Sequence, residues 1–191
     1  MSDSEQYFDR HVVPQFRSYL AAEKRLTEAI RAGDPSKIDS ARDEALSAAM
    51  AAVVPAHHMS DVIMKERPSC LPSHVQGLSG VRQWAQTTHC KMLRGAPVDD
   101  LELLGDVADA FKHFELTHPR TTARKVTSAK ATITTGAGWG EIGFGEGKYG
   151  GAEQVVVTQL NGRKRAMSSI LQNVTDMWRS VLGRSLPPIG E

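Results

Sequence analysis

Along the first part of the chain, apolar residues recur at spacings of three and four, the period of helices with one buried stripe. Phe8, Val12, Phe16, Tyr19, Leu20, Leu26 and Ile30 predict a helix over about Ser4–Ala32, with Ser2 and Glu5 at capping-box spacing ahead of it. Pro14 falls inside that stripe and predicts either a kink or a later true start. Gly33-Asp-Pro-Ser36 breaks the pattern, with Ser36 as the expected N-cap of a second helix. That helix runs through Ile38, Ala41, Ala45, Ala49 and Val53, small residues that let a neighbour come close. Pro55 should bend it, and Ala56–Glu66 should continue in a new direction before a loop over Pro68–Gln76. Leu78, Val81, Trp84, Ala85, Thr88 and Met92 predict a third helix over about Leu78–Leu93, closed by Gly95-Ala-Pro97.

A fourth helix is expected over Asp99–His118. Leu101, Leu104, Val107, Ala108, Phe111 and Phe114 share one face, while Glu102, Asp106, Asp109 and His113 form a single file on the other. After Pro119 the period changes. Arg120–Thr135, with a basic start at Arg120, Arg124 and Lys125, and Glu153–Leu160 read as strands, and Asn161-Gly162 signals a tight hairpin into a third strand over Arg163–Met167. Ile170, Leu171, Val174, Met177, Trp178, Val181 and Leu182 then form a last amphipathic helix over Ser168–Leu182, stopped by Gly183. The pattern specifies an α+β protein. Residues 1–119 form a bundle of four helices. Residues 120–191 form a small three-stranded antiparallel sheet and a C-terminal helix, packed with the bundle as one domain.

The 191 residues suit that size, and 40% hydrophobic content supplies a core. A net charge of +1 gives no global attraction to nucleic acid or anionic membrane, so any basic surface is local. The N-terminus lacks the basic and apolar regions of a secretory signal, and the longest apolar run, Ala45–Ala56, is too short to span a bilayer. Cys70 and Cys90 show no ligand spacing, which points to a reducing cytoplasm.

Gly136–Gly151 holds eight of the sixteen glycines and repeats an aromatic-glycine step at Trp139, Phe144 and Tyr149. Gly138-x-Gly140-x-x-Gly143 has the letters of a dinucleotide fingerprint, but glycine follows where a helix N-terminus would have to hold the pyrophosphate. The segment reads as a long hairpin connection or as an interaction loop whose rings stack on bases or enter a partner's groove.

Two polar constellations carry chemistry. His57, His58 and Asp61 lie within two helical turns, and Asp106, Asp109, Lys112 and His113 within two more. Were the two segments neighbours, His58, Asp61, Asp106, Asp109 and His113 could hold a divalent metal as facing bundle helices do, the alternative being a solvated face. Arg82 and His89 are seven apart on the third helix, two turns along one face. A guanidinium to stabilise a phosphorane and an imidazole to move a proton would suit ribonuclease chemistry, the alternative being two unrelated surface residues.

Arg82-Gln-Trp-Ala-Gln-Thr-Thr-His89, an Arg-x-six-His run in a helical bundle, resembles the motif of HEPN-type proteins, many of them RNases of toxin and antiviral systems. Gln83 stands where that family usually has Asn, Asp or His. The run Asp106-x-x-Asp-x-x-Lys-His113 is similar to one in small bacterial and phage-borne helical proteins. The HEPN resemblance covers about Ser4–His118. It implies an RNA-directed, metal-independent endonuclease with Arg82 on the phosphate and His89 as acid or base, frequently across a homodimer. Two other readings stand beside it: a non-catalytic phage or bacterial interaction or assembly protein working through Trp139, Phe144 and Tyr149, and a metal-dependent bundle enzyme using the His/Asp residues.

Overall fold

The computed structural model describes residues 2–91, 98–116, 124–135 and 153–185. Ser2 opens the first helix through a reciprocal capping box: its hydroxyl accepts the Glu5 N–H, and the Glu5 carboxylate accepts the Ser2 N–H at 2.8 Å. Helix α1 (Asp3–Tyr7) widens into a π-helical turn over Phe8–Val12 and continues as α2 (Val13–Ala32). Pro14 sits in the first turn of α2, so it marks a start rather than an interruption. The wider turn before it takes up the missing N–H and the crowded ring.

Gly33, at φ +70°, ends α2, and Asp34 rather than Ser36 caps the next helix by accepting the Ser36 N–H. Helix α3 (Pro35–Glu66) is continuous for 32 residues and runs through Pro55, where a change of direction was expected. The proline does not end the helix. Ala41, Ala45, Ala49, Ala52, Val53 and Ala56 are buried in the core, and Trp178 donates its indole N–H to the Ala56 carbonyl at 2.8 Å, one residue past the proline.

Helix α4 (Gly77–His89) stops short of Leu93, with Cys90 buried at its end. Val81 and Ala85 are buried, Thr88 is exposed, and Met92 lies outside the described residues. Helix α5 (Asp100–His113) stops short of His118: Phe114 turns left-handed at φ +61° and is 57% exposed. Leu103 and Ala110 join Leu101, Leu104 and Val107 in the core in its place.

The expected first strand shortens to β1 (Thr132–Thr135), entered through a 3-10 turn over Ala129–Ala131. It pairs antiparallel with β2 (Gln154–Thr158), and β2 with β3 (Lys164–Ala166), in the order β1-β2-β3. Gly162, at φ +82°, makes the Asn161-Gly162 turn. Val155 and Val157 face the helical core, whereas Ile133, paired with Val156 on the other face, is half exposed. Helix α6 (Met167–Val181) buries Ile170, Leu171, Val174, Met177, Trp178 and Val181. The fold is α+β and mostly helical. No helix among the described residues is long and apolar enough to cross a membrane.

One buried charge pair joins the sheet to the helices. Asp100 opens α5, and its carboxylate accepts from Arg165 of β3 at 2.8 Å and from Asn173 of α6 at 2.6 Å, with Asp100 and Arg165 0% and 1% exposed. Removing one partner leaves the other charge buried and alone, which costs about 3–5 kcal/mol, whereas replacing both by apolar residues costs far less. Asp100→Ala should therefore lose about 3–5 kcal/mol in urea unfolding, and Asp100→Leu with Arg165→Met should recover most of it. A single-variant loss below about 1 kcal/mol would show that the pair is not what joins the layers.

Candidate functional site

Helices α3, α4 and α5 enclose a cleft of about 1200 Å³. It is lined from α3 by Met50, Val54, His57, His58 and Asp61, from α4 by Leu78 and Arg82, and from α5 by Gly105, Asp106, Asp109, Phe111 and Lys112. The His57–Asp61 and Asp106–Lys112 segments are neighbours across this cleft. His58, Asp61, Asp106, Asp109 and Lys112 share this concavity, while His113 is exposed at the end of α5 and is not part of the wall.

The acidic file of α5 has a specific partner. Arg124 donates to Asp109 at 2.8 Å and lies 3.6 Å from Asp106. The Lys125 backbone N–H donates to Asp106 at 2.6 Å, and its ammonium bridges Asp99 and Glu102. This dipeptide clasps the helix along three turns and engages Asp106 and Asp109, while Glu102 and His113 remain exposed. Burial pushes the Asp106 carboxyl up, and the Lys125 and Val126 amides and Arg124 pull it back. Among the described residues no three His, Cys, Asp or Glu side chains are arranged to hold a metal ion. The expected set of His58, Asp61, Asp106, Asp109 and His113 does not close, because Asp106 and Asp109 are taken by Arg124, Asp61 faces Arg82, and His113 lies outside.

His57 lines the cleft from α3 and is 8% exposed. Burial, then the Arg82 guanidinium, then His58 drive its pKa down to about 4, against Asp109 and Asp61. It is a neutral imidazole at pH 7. Its seat depends on Gly105: a Cβ there would stand 2.8 Å from Nε2 and 3.2 Å from Cδ2. Glycine in a helix interior is unfavourable by about 1 kcal/mol relative to alanine, so its use here needs a reason, and the ring supplies it. Arg82 lies beside His57, its Nε donating to Ser60 Oγ at 3.0 Å and a terminal nitrogen 3.7 Å from Asp61. Ser60 in turn donates to the His57 carbonyl at 2.8 Å. The guanidinium is therefore fixed at Nε, with its terminal nitrogens toward the carboxylate and the cleft.

His89 is elsewhere. Its Nδ1 is 2.9 Å from Ser180 Oγ of α6, and its ring meets Trp84 edge-on at 5.0 Å. It lies seven positions beyond Arg82, about 10 Å along the axis, and it does not line the cleft. Within one chain, Arg82 shares a concave site with His57 and not with His89. Trp139, Phe144 and Tyr149 lie outside the described residues. Sequence reasoning passed over Gly105 and treated Arg124-Lys125 only as the basic start of a strand. A glycine in mid-helix opposite a histidine segment was the available signal.

The low pKa of His57 has a stability consequence. The unfolded chain takes up this proton near pH 6.5, the folded chain only near pH 4. The contribution of His57 is full above pH 6.5 and is lost as pH falls from 6.5 toward 4, about 3 kcal/mol over the whole interval. Urea unfolding at pH 7 and pH 4.5 should show this loss in the native chain and a smaller one in His57→Gln; equal losses would place His57 in water. Comparison with family models, with curated proteins and with solved structures returns no match to this chain, so the functional reading rests on the cleft itself.

Proposed function

We propose that this protein is an RNA-directed acid–base protein. Its α3–α4–α5 cleft holds one phosphodiester and its base, and cleaves the linkage without a metal. The observation that carries this reading is the pairing, in one concave site, of a neutral imidazole at His57 with a guanidinium at Arg82. Apolar surface from Met50, Val54, Leu78 and Phe111 beside them suits a base or ribose.

Charge sets the scale of the ligand. Asp61, Glu102, Asp106 and Asp109 line the cleft against Arg82, Lys112 and Arg124, four carboxylates to three cations. Arg124 is held by two of the carboxylates, while no partner of the Lys112 ammonium is found among the described residues. Such a site accepts a single phosphate at Arg82 and Lys112 but repels a long polyanion, so the strand touches the protein over a short stretch.

In the reaction the 2′-oxygen attacks the adjacent phosphorus, and its proton passes to His57. Arg82 balances the charge on the non-bridging oxygens. The P–O5′ bond breaks, and His58 at the rim gives a proton to the departing oxygen. The products are a 2′,3′-cyclic phosphate and a 5′-hydroxyl. In the free protein His57 is a weak base. A bound phosphate neutralises Arg82 and adds negative charge, and both effects raise its proton affinity toward the useful range.

The test is cleavage of single-stranded RNA in the presence of a chelator. Arg82→Ala should cost about 10²–10³-fold and His57→Gln about 10²–10⁴-fold, with folding checked by thermal melting. His89→Ala should stay within a few-fold of the native rate. Activity that needs His89 and survives His57→Gln would restore the Arg82–His89 pair suggested by the motif. A rate abolished by chelation would return the acid-rich cleft to metal chemistry.

A further inference from the structure

Arg17, Lys24 and Arg31 stand seven residues apart on α2, and Arg10 stands seven before them in the π-helical turn that leads into it. Seven residues make almost two whole turns of a helix. Arg17, Lys24 and Arg31 therefore drift by only about 20° at each step and share one face, about 10 Å apart along the axis. With Arg10 the file extends over about 30 Å. Phe16, Tyr19, Ala22 and Leu26 bury the other side of the helix, and all four cations are exposed. The file is poorly balanced. Between Arg10 and Arg31 the acidic residues are Glu23, which is buried, and Glu28. Glu28 lies 3.9 Å from Lys24, with the two side chains 58% and 79% exposed, a pair of little strength. Arg25 points away from the file and pairs with Glu44 of α3. No ion-pair partner of Arg10, Arg17 or Arg31 is found among the described residues. In a chain of net charge +1 this stripe is a local concentration of positive charge. It is set apart from the acid-rich cleft, because α2 packs on the alanine face of α3 and the cleft opens on the opposite face.

We propose that the α2 stripe is a docking track for the phosphate backbone of a single RNA strand. Spaced, exposed guanidinium and ammonium groups neutralise phosphates without reading bases. Phe16 and Tyr19 are buried, so neither ring of this helix stacks on a base, and the track is indifferent to sequence. An anionic membrane carries the same charge but fits less well. Among the described residues, none of the exposed large hydrophobic side chains lies on α1 or α2, so nothing here enters lipid. The cleft holds a short stretch of strand and repels the rest, and the track gives the remaining length a place to bind. The track does not depend on the chemistry of the cleft: it binds a strand whether or not cleavage follows.

The experiment measures binding of the full chain to a fluorescent oligodeoxythymidylate, an uncleavable strand long enough to span the file, over a range of salt concentrations. Removing three charges together, in Arg17→Gln with Lys24→Gln and Arg31→Gln, should lower the affinity roughly tenfold or more at low salt. It should also make the fall of log affinity with log salt shallower by about 2. The three side chains are exposed, so thermal melting should be unchanged. Arg17→Lys with Arg31→Lys should bind as the native chain does, since either cation neutralises a phosphate, and Glu28→Gln should bind more tightly. Unchanged affinity and slope in the triple variant would overturn the track and leave the cleft reading standing. Affinity lost in Arg82→Ala and kept in the triple variant would place the strand in the cleft instead. Binding to phosphatidylserine vesicles that the triple variant loses, with no binding of the oligonucleotide by the native chain, would make the stripe a membrane surface and overturn the proposal.

Discussion

The carboxylate of Asp100 is the point at which the helices and the sheet become one structure. It is fully buried at the start of α5 and is held by Arg165 from β3 and Asn173 from α6. Two buried charges contribute little net stability by burial alone, because desolvation offsets most of their attraction. What they do contribute is registration. Arg165 lies opposite Val157 in the ladder, so a slip of the hairpin by one residue would turn the guanidinium to the other face and strand Asp100 without a counter-charge. With the N-terminus of α5 pinned, the position of every later residue of that helix is set.

Along the next turns of α5 the chain uses the same strategy at the surface. Arg124 and Lys125 meet Asp99, Glu102, Asp106 and Asp109 with two side chains and one backbone amide. Individually, partly exposed ion pairs contribute about 0–1 kcal/mol each, but a network on one helix fixes its rotation about its own axis. That rotation turns Gly105 toward α3, where it alone leaves room for the His57 ring, and places Asp109 on the cleft side of the helix. The position of the imidazole is thus a consequence of the charge pair at the start of α5 and of those along its cleft edge. His57, Arg82 and Ser60 then complete a chain of contacts between α3 and α4.

Local pattern made much of this legible in the sequence. The stripes of α2, α4 and α6, the Asn161-Gly162 turn and the β2–β3 hairpin follow directly from periodicity and turn chemistry. Helix α3 continues through Pro55 with its alanine face buried, and Phe114 misled because its left-handed backbone ends the helix before the stripe is complete. Within the site, spacing put His57–Asp61 on one short stretch and Asp106–Asp109 on another, but that the two stretches face each other comes from the fold. The partner of the acidic file was not legible either, since Arg124 lies 15 residues beyond Asp109 and only the fold brings them together. The separation of Arg82 from His89 was equally hidden, because a shared helix face does not say which neighbour each residue meets: α3 for one, α6 for the other.

The most direct measurement is the pKa of His57, read from its ring nitrogens by NMR, in the free chain and with a bound dinucleotide. A value near 4 in the free protein that rises on binding, with His89 unchanged, is the result expected of a buried base beside Arg82 that receives a phosphate. A value near 6.5 that does not respond, with His89 responding instead, would contradict the assignment of the cleft as the working site.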